Sequence, residues 1–566
     1  MKTTIKEIFL EEGYSIPNYQ RDYAWKEKNF KDLWEDLEEA IEYNKKGQGH
    51  FIGTMVVAKN EDNKKLYDII DGQQRTTTIF MLLHVLANEQ NEKDKRETRK
   101  YLYQKGELKL EVASQNQSFF KTLLEVAEKG SISHCEKDAD TEGKQNLFEV
   151  LKAILDKVSK LNKEEANERL EALLKMVLMR LEEPDPGRAI RTFQSVNDRG
   201  VPLLLLDKLK SLLIYYSNTF CDGKRGLDQF INDHFGEIFK IFAKIKKSDH
   251  ISSVGGFDEG DIFRYHAGSQ RFDGIEFLGH YATSTEYTYE KLKDELKEIK
   301  KSKLKSFIQS YVSDLKNFYQ AFFDLLSEID INPTTLKVML INRINPLFFN
   351  SLIRLKINNE LDDETLKLFA KTDILLSKGR RGVGSVAYNL IEEYLEKGKE
   401  GLNSKMIAQC RNNDIESTSW KLVKNAPNPS CFHYVFFEKN CQEMGLADLK
   451  KLIPGKQFSQ EKEHIIPINL LELDNEIEIQ KLGFEDKKDL ENYIYTYGNL
   501  ISLEAPLNSK GKDKDLYEKD AIYKESRIPF NRRFNVKGFN KKVLIKRNDE
   551  MREWLIDTFF KDFATH

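Results

Sequence analysis

The sequence predicts an α+β protein in three parts, and three observations lead there. Strand-like runs and one-faced helices mix over residues 1–216, helical periodicity alone dominates 217–425, and from 426 two short strand-like runs precede a lysine-rich helix.

Taken in order, "FKDLWEDLEEAI" places Phe30, Leu33, Trp34, Leu37 and Ile41 on one helical stripe. "HFIGTMVVA" (50–58) and "KLYDIID" (65–71) predict two strands joined by the polar turn KNEDNK. "RTTTIFMLLHVLA" (75–87) predicts a largely buried helix, and 193–216 a loop followed by a helix. The middle part carries long helices, as in 304–326 and 386–398, with glycine-rich breaks at 253–261 and 377–385. A proline-containing linker, NAPNPS (425–430), opens the last part. No repeat of fixed period occurs.

The 566 residues are 40% hydrophobic and 32% charged, with 35 Phe and 23 Tyr, so the chain can bury sizeable cores and is not disordered. Net charge is −3, and the molecule as a whole shows no electrostatic sign of a nucleic-acid partner. Five scattered cysteines without a CxxC pair exclude a thioredoxin-like motif and suit a reducing compartment. Without a signal-peptide pattern or a run of ~18 apolar residues, the expectation is a cytoplasmic protein with no membrane segment.

"KEHIIPINL" (462–470) sets Glu463 beside His464, with a β-type run following the pair and Pro467 three residues on. Downstream, "YGNLISLEAPLNSKGKDKDLYEKD" (497–520) gives a strand-like NLISLE, then Asn508, then a helical, lysine-rich segment. An acid–histidine pair, a second strand and a helix follow the order of a ββα-metal finger. Phosphodiester hydrolysis needs a base near neutrality and a cation against growing phosphate charge. His464 suits the first task. Glu463 and Asn508 can offer oxygen to Mg²⁺ or another divalent metal, with Asn499 bracing the histidine loop. Between 506 and 547 stand thirteen Lys and Arg against five Asp and Glu, a net of +8, with Phe530, Phe534 and Phe539 interleaved. Such a segment is expected to bind phosphate backbone. The plainer alternative is a chance EH dipeptide and a solvated charged face.

A second constellation lies at "YDIIDGQQRTTTIFMLL" (67–83). Asp71 ends a strand, Gly72 lets backbone approach a ligand, Gln73 and Gln74 offer amides, and Arg75 a fork for phosphate at a helix N-terminus. Gln20 and Arg21, flanked by Tyr19, Tyr23 and Trp25, form another polar pair. There is no Walker A sequence. The alternative is an ordinary helix start with Arg75 paired to Asp71.

"EHIIP…YGNLISLEAPLNSK" resembles the HNH-type (His-Me finger) nuclease domain of the GmrSD family of type IV, modification-dependent restriction enzymes. "IPNYQRDYAW", "GHFIGTMVV", "IIDGQQRTT" and "FQSVNDRGVPLLLLDKLK" follow the order of that family's GmrS-type half, a ParB/sulfiredoxin-like fold associated with nucleotide binding and hydrolysis. The resemblance implies a nucleotide-binding sensor (1–216) and an HNH nuclease with a basic tail (426–566), on either side of the helical link (217–425) that periodicity predicts. It implies His464 as general base and Asn499 and Asn508 as the motif asparagines, with Glu463 where many members have Asp. Asp71, Gly72, Gln73, Gln74 and Arg75, with Gln20, Arg21, Asn197 and Arg199, are then the nucleotide-site candidates, for GTP or ATP. The expected activity is metal-dependent cleavage of modified phage DNA under nucleotide control, and a homodimer is compatible with the family. Two other readings stay open: an NTP-dependent DNA-binding sensor with a weak or inactive nuclease, and a toxin-like RNA nuclease.

Overall fold

A computed structural model describes residues 2–17, 20, 22–45, 50–60, 63, 65–183, 205–221, 224–271, 284–376, 383–411, 415–425, 429–453, 458–472 and 475–563. Arg21, Asn197 and Arg199 lie outside them, as does most of the 377–385 break. The chain divides into two compact units, Met1–Ala243 with Leu292–Lys316, and Lys244–Lys291 with Asn317–His566.

The first unit begins β1 (Lys2–Thr4), α1 (Ile5–Glu11), β2 (Gly13–Ser15), α2 (Glu27–Lys45), β3 (Phe51–Lys59), β4 (Leu66–Asp71) and α3 (Gln73–Asn88). It continues α4 (Glu92–Leu102), a small hairpin of β5 (Tyr103–Gln104) and β6 (Glu107–Leu108), β7 (Leu110–Glu111), α5 (Ser114–Ala127), α6 (Glu142–Val158), α7 (Lys163–Lys175) and β8 (Val177–Glu183). The sheet order is β1-β8-β3-β4-β2-β7, with β8–β3, β4–β2 and β2–β7 parallel and the other pairs antiparallel. The apolar run of β3 is buried over Met55–Ala58, as a central strand's should be. The predicted stripe Phe30, Leu33, Trp34, Leu37 and Ile41 is the core face of α2.

Between β4 and α3 the chain turns at Gly72, whose φ of 89° is left-handed and whose α-carbon faces the Thr54 carbonyl, so a side chain there is doubly disfavoured. Helix α3 is buried along almost all its length and packs against α6 and α7. After β8 the next described element is α8 (Leu205–Phe220), the helix expected from the LLLLDKLK run.

The helical middle contains α9 (Lys224–Lys247), α10 (Glu259–Ala267), α11 (Thr285–Glu298), α12 (Lys301–Glu328), α13 (Phe349–Ile357), α14 (Asp363–Leu376) and α15 (Val383–Arg411), the last broken at Gly398. Helices α16 (Ile415–Asn425) and α17 (Pro429–Asn440) lead to β9 (Gln460–His464). Then come β10 (Leu500–Glu504), α18 (Ala505–Gly511), α19 (Leu516–Lys524) and α20 (Lys541–Trp554). Antiparallel β9 and β10 followed by α18 form a ββα unit.

Two expectations are corrected. The strand precedes His464 instead of following it. After Ile465 N–H donates to the Asn499 carbonyl, Ile466 donates its N–H to Asn499 Oδ1 and its carbonyl accepts from Nδ2, and Pro467 has no N–H for a ladder, so the strand ends at His464. Asn508 lies on a helix, not ahead of one, because Pro506 in the first turn starts α18 directly after β10.

Candidate functional site

The hairpin register sets Leu500 against His464, Ile501 against Glu463 and Leu503 against Glu461. Strand alternation then puts Lys462 and His464 on one face of β9, and Glu461 and Glu463 on the other. Helix α18 packs on β9. Glu463 is buried, and its Oε1 accepts from Lys519 Nζ at 2.5 Å and from the Tyr523 hydroxyl at 3.3 Å, both on α19. The same ammonium donates to the His464 carbonyl. Burial raises the Glu463 carboxyl and lowers Lys519, and each charge opposes its partner's shift. One lysine thus ties the site carboxylate and the backbone of the site histidine to a helix.

His464 is half-buried, and burial, followed by the nearby Lys519 and Lys462 cations, lowers its pKa to about 4. It is therefore neutral at pH 7 and able to accept a proton. Among the described residues no hydrogen bond engages its ring nitrogens, and its ring contact is with Tyr495, centroids 5.7 Å apart at 88°.

The two motif asparagines differ in what they touch. Asn499 is fully buried. Its Oδ1 accepts from Ile466 N–H at 2.8 Å, and its Nδ2 donates to the carbonyls of Ile466 (3.1 Å) and Ile494 (2.9 Å). Its amide thus holds the turn that follows His464. Asn508 donates from Nδ2 to Glu461 Oε2 at 2.5 Å, while its Oδ1 is buried with no hydrogen-bond partner. An orphaned amide oxygen on α18 and a carboxylate on β9 are hard donors and fit a divalent cation that keeps most of its shell as water. Among the described residues no cluster of three or more His, Cys, Asp or Glu offers a fuller protein cage.

In the basic segment, the interleaved Phe530, Phe534 and Phe539 gather round one cation. Their rings surround the Arg547 guanidinium at 5.8, 4.6 and 5.9 Å, and its Nη2 donates to the Leu500 carbonyl. Aromatic faces attract a desolvated cation, so this part-buried cluster braces β10. Lys519 and Lys541 are likewise engaged inside, by Glu463 and Asp489. Lys510, Lys512, Lys514, Lys524, Arg527, Arg532, Arg533, Lys537, Lys542 and Lys546 remain exposed for an anionic partner.

At the β4–α3 junction most motif side chains are engaged by their own chain. Gln74 Oε1 accepts from Ala24 N–H (2.7 Å) and Trp25 N–H (3.3 Å), and its Nε2 donates to the Asp22 carbonyl, which clamps residues 22–25. The Thr76, Thr77 and Thr78 hydroxyls donate to carbonyls one turn back, at Gly72, Gln73 and Gln74. Gln20 Nε2 donates to the Ile70 carbonyl, leaving its buried Oε1 without a partner. Arg75 lies beneath Gly53, where a side chain would collide with its guanidinium, and makes no ion pair with Asp71; burial lowers its pKa against the pull of Asp71 and Asp36. An enclosed cavity of about 20 Å³, lined by Asp22, Tyr23, Gln73, Gln74, Thr77 and Asn116 among others, has room for one water.

Sequence reasoning missed Glu461, Lys519 and Tyr523 at one site and Asp22, Asp207 and Lys210 at the other. Lys210 is buried in α8 with Asp22 and Asp207 acting on its charge. The available signal was charge inside an apolar run (LLLLDKLKSLL), and a Lys–Tyr pair four apart on one face of α19.

Comparison with known families matches residues 5–214 to the GmrSD restriction endonuclease N-terminal domain and residues 409–554 to the GmrSD restriction endonucleases C-terminal domain. A comparison with curated proteins gave no match.

Proposed function

The chain belongs to the GmrSD restriction endonucleases, and from that premise we propose that it cleaves DNA at the β9–β10–α18 site with His464 as general base. The observation that carries this reading is the contrast within the site. Asn499 braces the chain behind His464 with every polar atom of its amide engaged, while the imidazole nitrogens are left to an outside partner.

In the proposed reaction a water oxygen attacks phosphorus, its proton passes to a ring nitrogen of neutral His464, and the displaced oxygen leaves with a proton from solvent. The incoming phosphate is anionic and raises the imidazole pKa from its low resting value toward neutrality, which strengthens the base when substrate is present. Lys519 fixes Glu463 and the His464 carbonyl, and Asn499 fixes the following turn. A divalent cation such as Mg²⁺, held by Asn508 Oδ1 and the Glu463 carboxylate, whose Oε1 it would share with Lys519 and Tyr523, would offset charge growing on the phosphate and the leaving oxygen. The exposed lysines and arginines of 510–546 supply non-specific attraction to the backbone.

We further infer a nucleotide-responsive first unit. The left-handed Gly72 at the start of α3, the unpartnered Gln20 Oε1 and the Arg75 guanidinium support that reading. The proposed role is defence against phage whose DNA carries modified bases or backbone. The test is cleavage of unmodified and modified phage DNA, and of RNA, with and without Mg²⁺, GTP and ATP. Metal-dependent DNA cutting that responds to a nucleotide is expected. Absence of cutting under every condition removes the nuclease reading, and equal cutting of RNA removes the restriction reading.

A further inference from the structure

Three tyrosines alternate in "YIYTYGN" (493–499), and two of them have an evident packing role. Tyr493 packs against Phe484 and the Lys541 ammonium, and Tyr497 is buried against Phe432, its hydroxyl accepting from Asn440. Tyr495 differs. It is 51% exposed, and its ring meets the His464 imidazole edge to face. What sets it apart is its place: an exposed ring in direct contact with the imidazole proposed to meet the substrate. Among the described residues no hydrogen bond engages the imidazole nitrogens, and the Tyr495 ring is one restraint on the rotation of this part-buried ring. Residues 493–497 are themselves held firmly: Asn499 Nδ2 binds the Ile494 carbonyl, and Asn548 Nδ2 donates to Thr496 Oγ1. The exposed ring thus sits on a rigid mount.

We propose that Tyr495 positions His464 and offers its open face to the nucleoside flanking the scissile phosphate. Aromatic rings stack on nucleosides without regard to base identity, so the contact needs no particular base beside the cut. The proposal rests on the nuclease reading of the His464 site.

The test compares the full chain with Tyr495→Phe, Tyr495→Leu and Tyr495→Ala. The cut is first mapped on the parent, and 2-aminopurine is then placed at each flanking nucleoside. Fluorescence is read in EDTA, and single-turnover cleavage with Mg²⁺. The parent and Tyr495→Phe should quench 2-aminopurine and cleave within roughly twofold of each other. Tyr495→Ala and Tyr495→Leu should lose the quench and cleave roughly 5- to 100-fold more slowly, with melting temperatures near that of the parent. Leucine keeps apolar bulk, so recovery of cleavage by Tyr495→Leu would reduce Tyr495 to packing and overturn the proposal. So would parental quench and rate in Tyr495→Ala, or a loss in Tyr495→Phe equal to that in Tyr495→Ala. A parent that cuts no DNA would instead fail the nuclease reading itself.

Discussion

The β9–β10–α18 site and the β4–α3 junction both carry dense polar motifs, yet they use their side chains in opposite ways. At the junction, Gln74 clamps residues 22–25, three threonine hydroxyls bond back along α3, and the small cavity there has room for only a single water. At the hairpin, Asn499 and Lys519 brace the chain on either side of His464, Lys519 also bonds Oε1 of the buried Glu463 carboxylate, and His464 and the Asn508 Oδ1 keep open atoms. A motif residue therefore belongs to the frame or to the chemistry according to whether its polar atoms are already satisfied. Identity alone does not decide it, as Asn499 and Asn508 make plain.

The comparison is broken most decisively at His464. His464→Ala should reduce metal-dependent DNA cleavage by ~10²- to 10⁴-fold, because His433, the nearest histidine in sequence, is buried and engaged by Ser502 Oγ. Nucleotide hydrolysis, measured on the same preparation, should be unchanged, because its candidate residues are at the β4–α3 junction.

Next in size is the frame of the same site. Lys519→Met leaves the Glu463 carboxylate buried without its partner, which should destabilise the second unit by about 3–5 kcal/mol. Chemical denaturation checks this, and Asn508→Ala should barely move the midpoint while abolishing cleavage. An equal loss of stability in both variants would erase the distinction between frame and open atoms.

At the junction, the pair Gln74 and Arg75 sharpens the contrast. Gln74→Ala removes partners from two N–H groups and a carbonyl, and should destabilise the first unit by about 1–3 kcal/mol. Arg75→Ala should instead weaken nucleotide binding by about 1.5–3 kcal/mol, read by calorimetric titration, with a near-parental melting temperature. If Arg75→Ala binds and hydrolyses NTP like the parent, the nucleotide assignment fails.

The smallest effect is a pH dependence. Burial, with Lys462 and Arg343 adding repulsion, lowers the pKa of His433 to about 3. Its unfolded value is about 6.5, so the unfolded chain takes up the proton first as pH falls, and stability is lost from about 6.5 down to about 3. Between pH 7.5 and 5 the parent should lose about 2 kcal/mol more than His433→Asn in denaturant titrations. Identical slopes would mean that His433 does not titrate in the folded protein as its burial requires.

Much of this was legible from residue order. The period-2 and period-3.6 patterns located β3, β4, α2, α3, α8 and the long middle helices, because periodicity is a local property of the chain. The spacing of Glu463, His464, Asn499 and Asn508 pointed to the hairpin site. Which of their atoms face each other was not legible, since that depends on the register of β9 against β10, a pairing across more than thirty residues.

What the sequence determined by itself is the inventory: a histidine beside an acid, two asparagines, a glycine–glutamine–arginine junction, and a basic tail. Only the tertiary structure decided which members are used up internally. It gathered Phe530, Phe534 and Phe539 around Arg547, buried Lys519 on Glu463, and left Tyr495 half in water against His464. The physical reason is that hydrogen bonds and ion pairs in a folded chain are mostly made between residues far apart in sequence. A side chain's remaining valence is set by neighbours that no local pattern reveals.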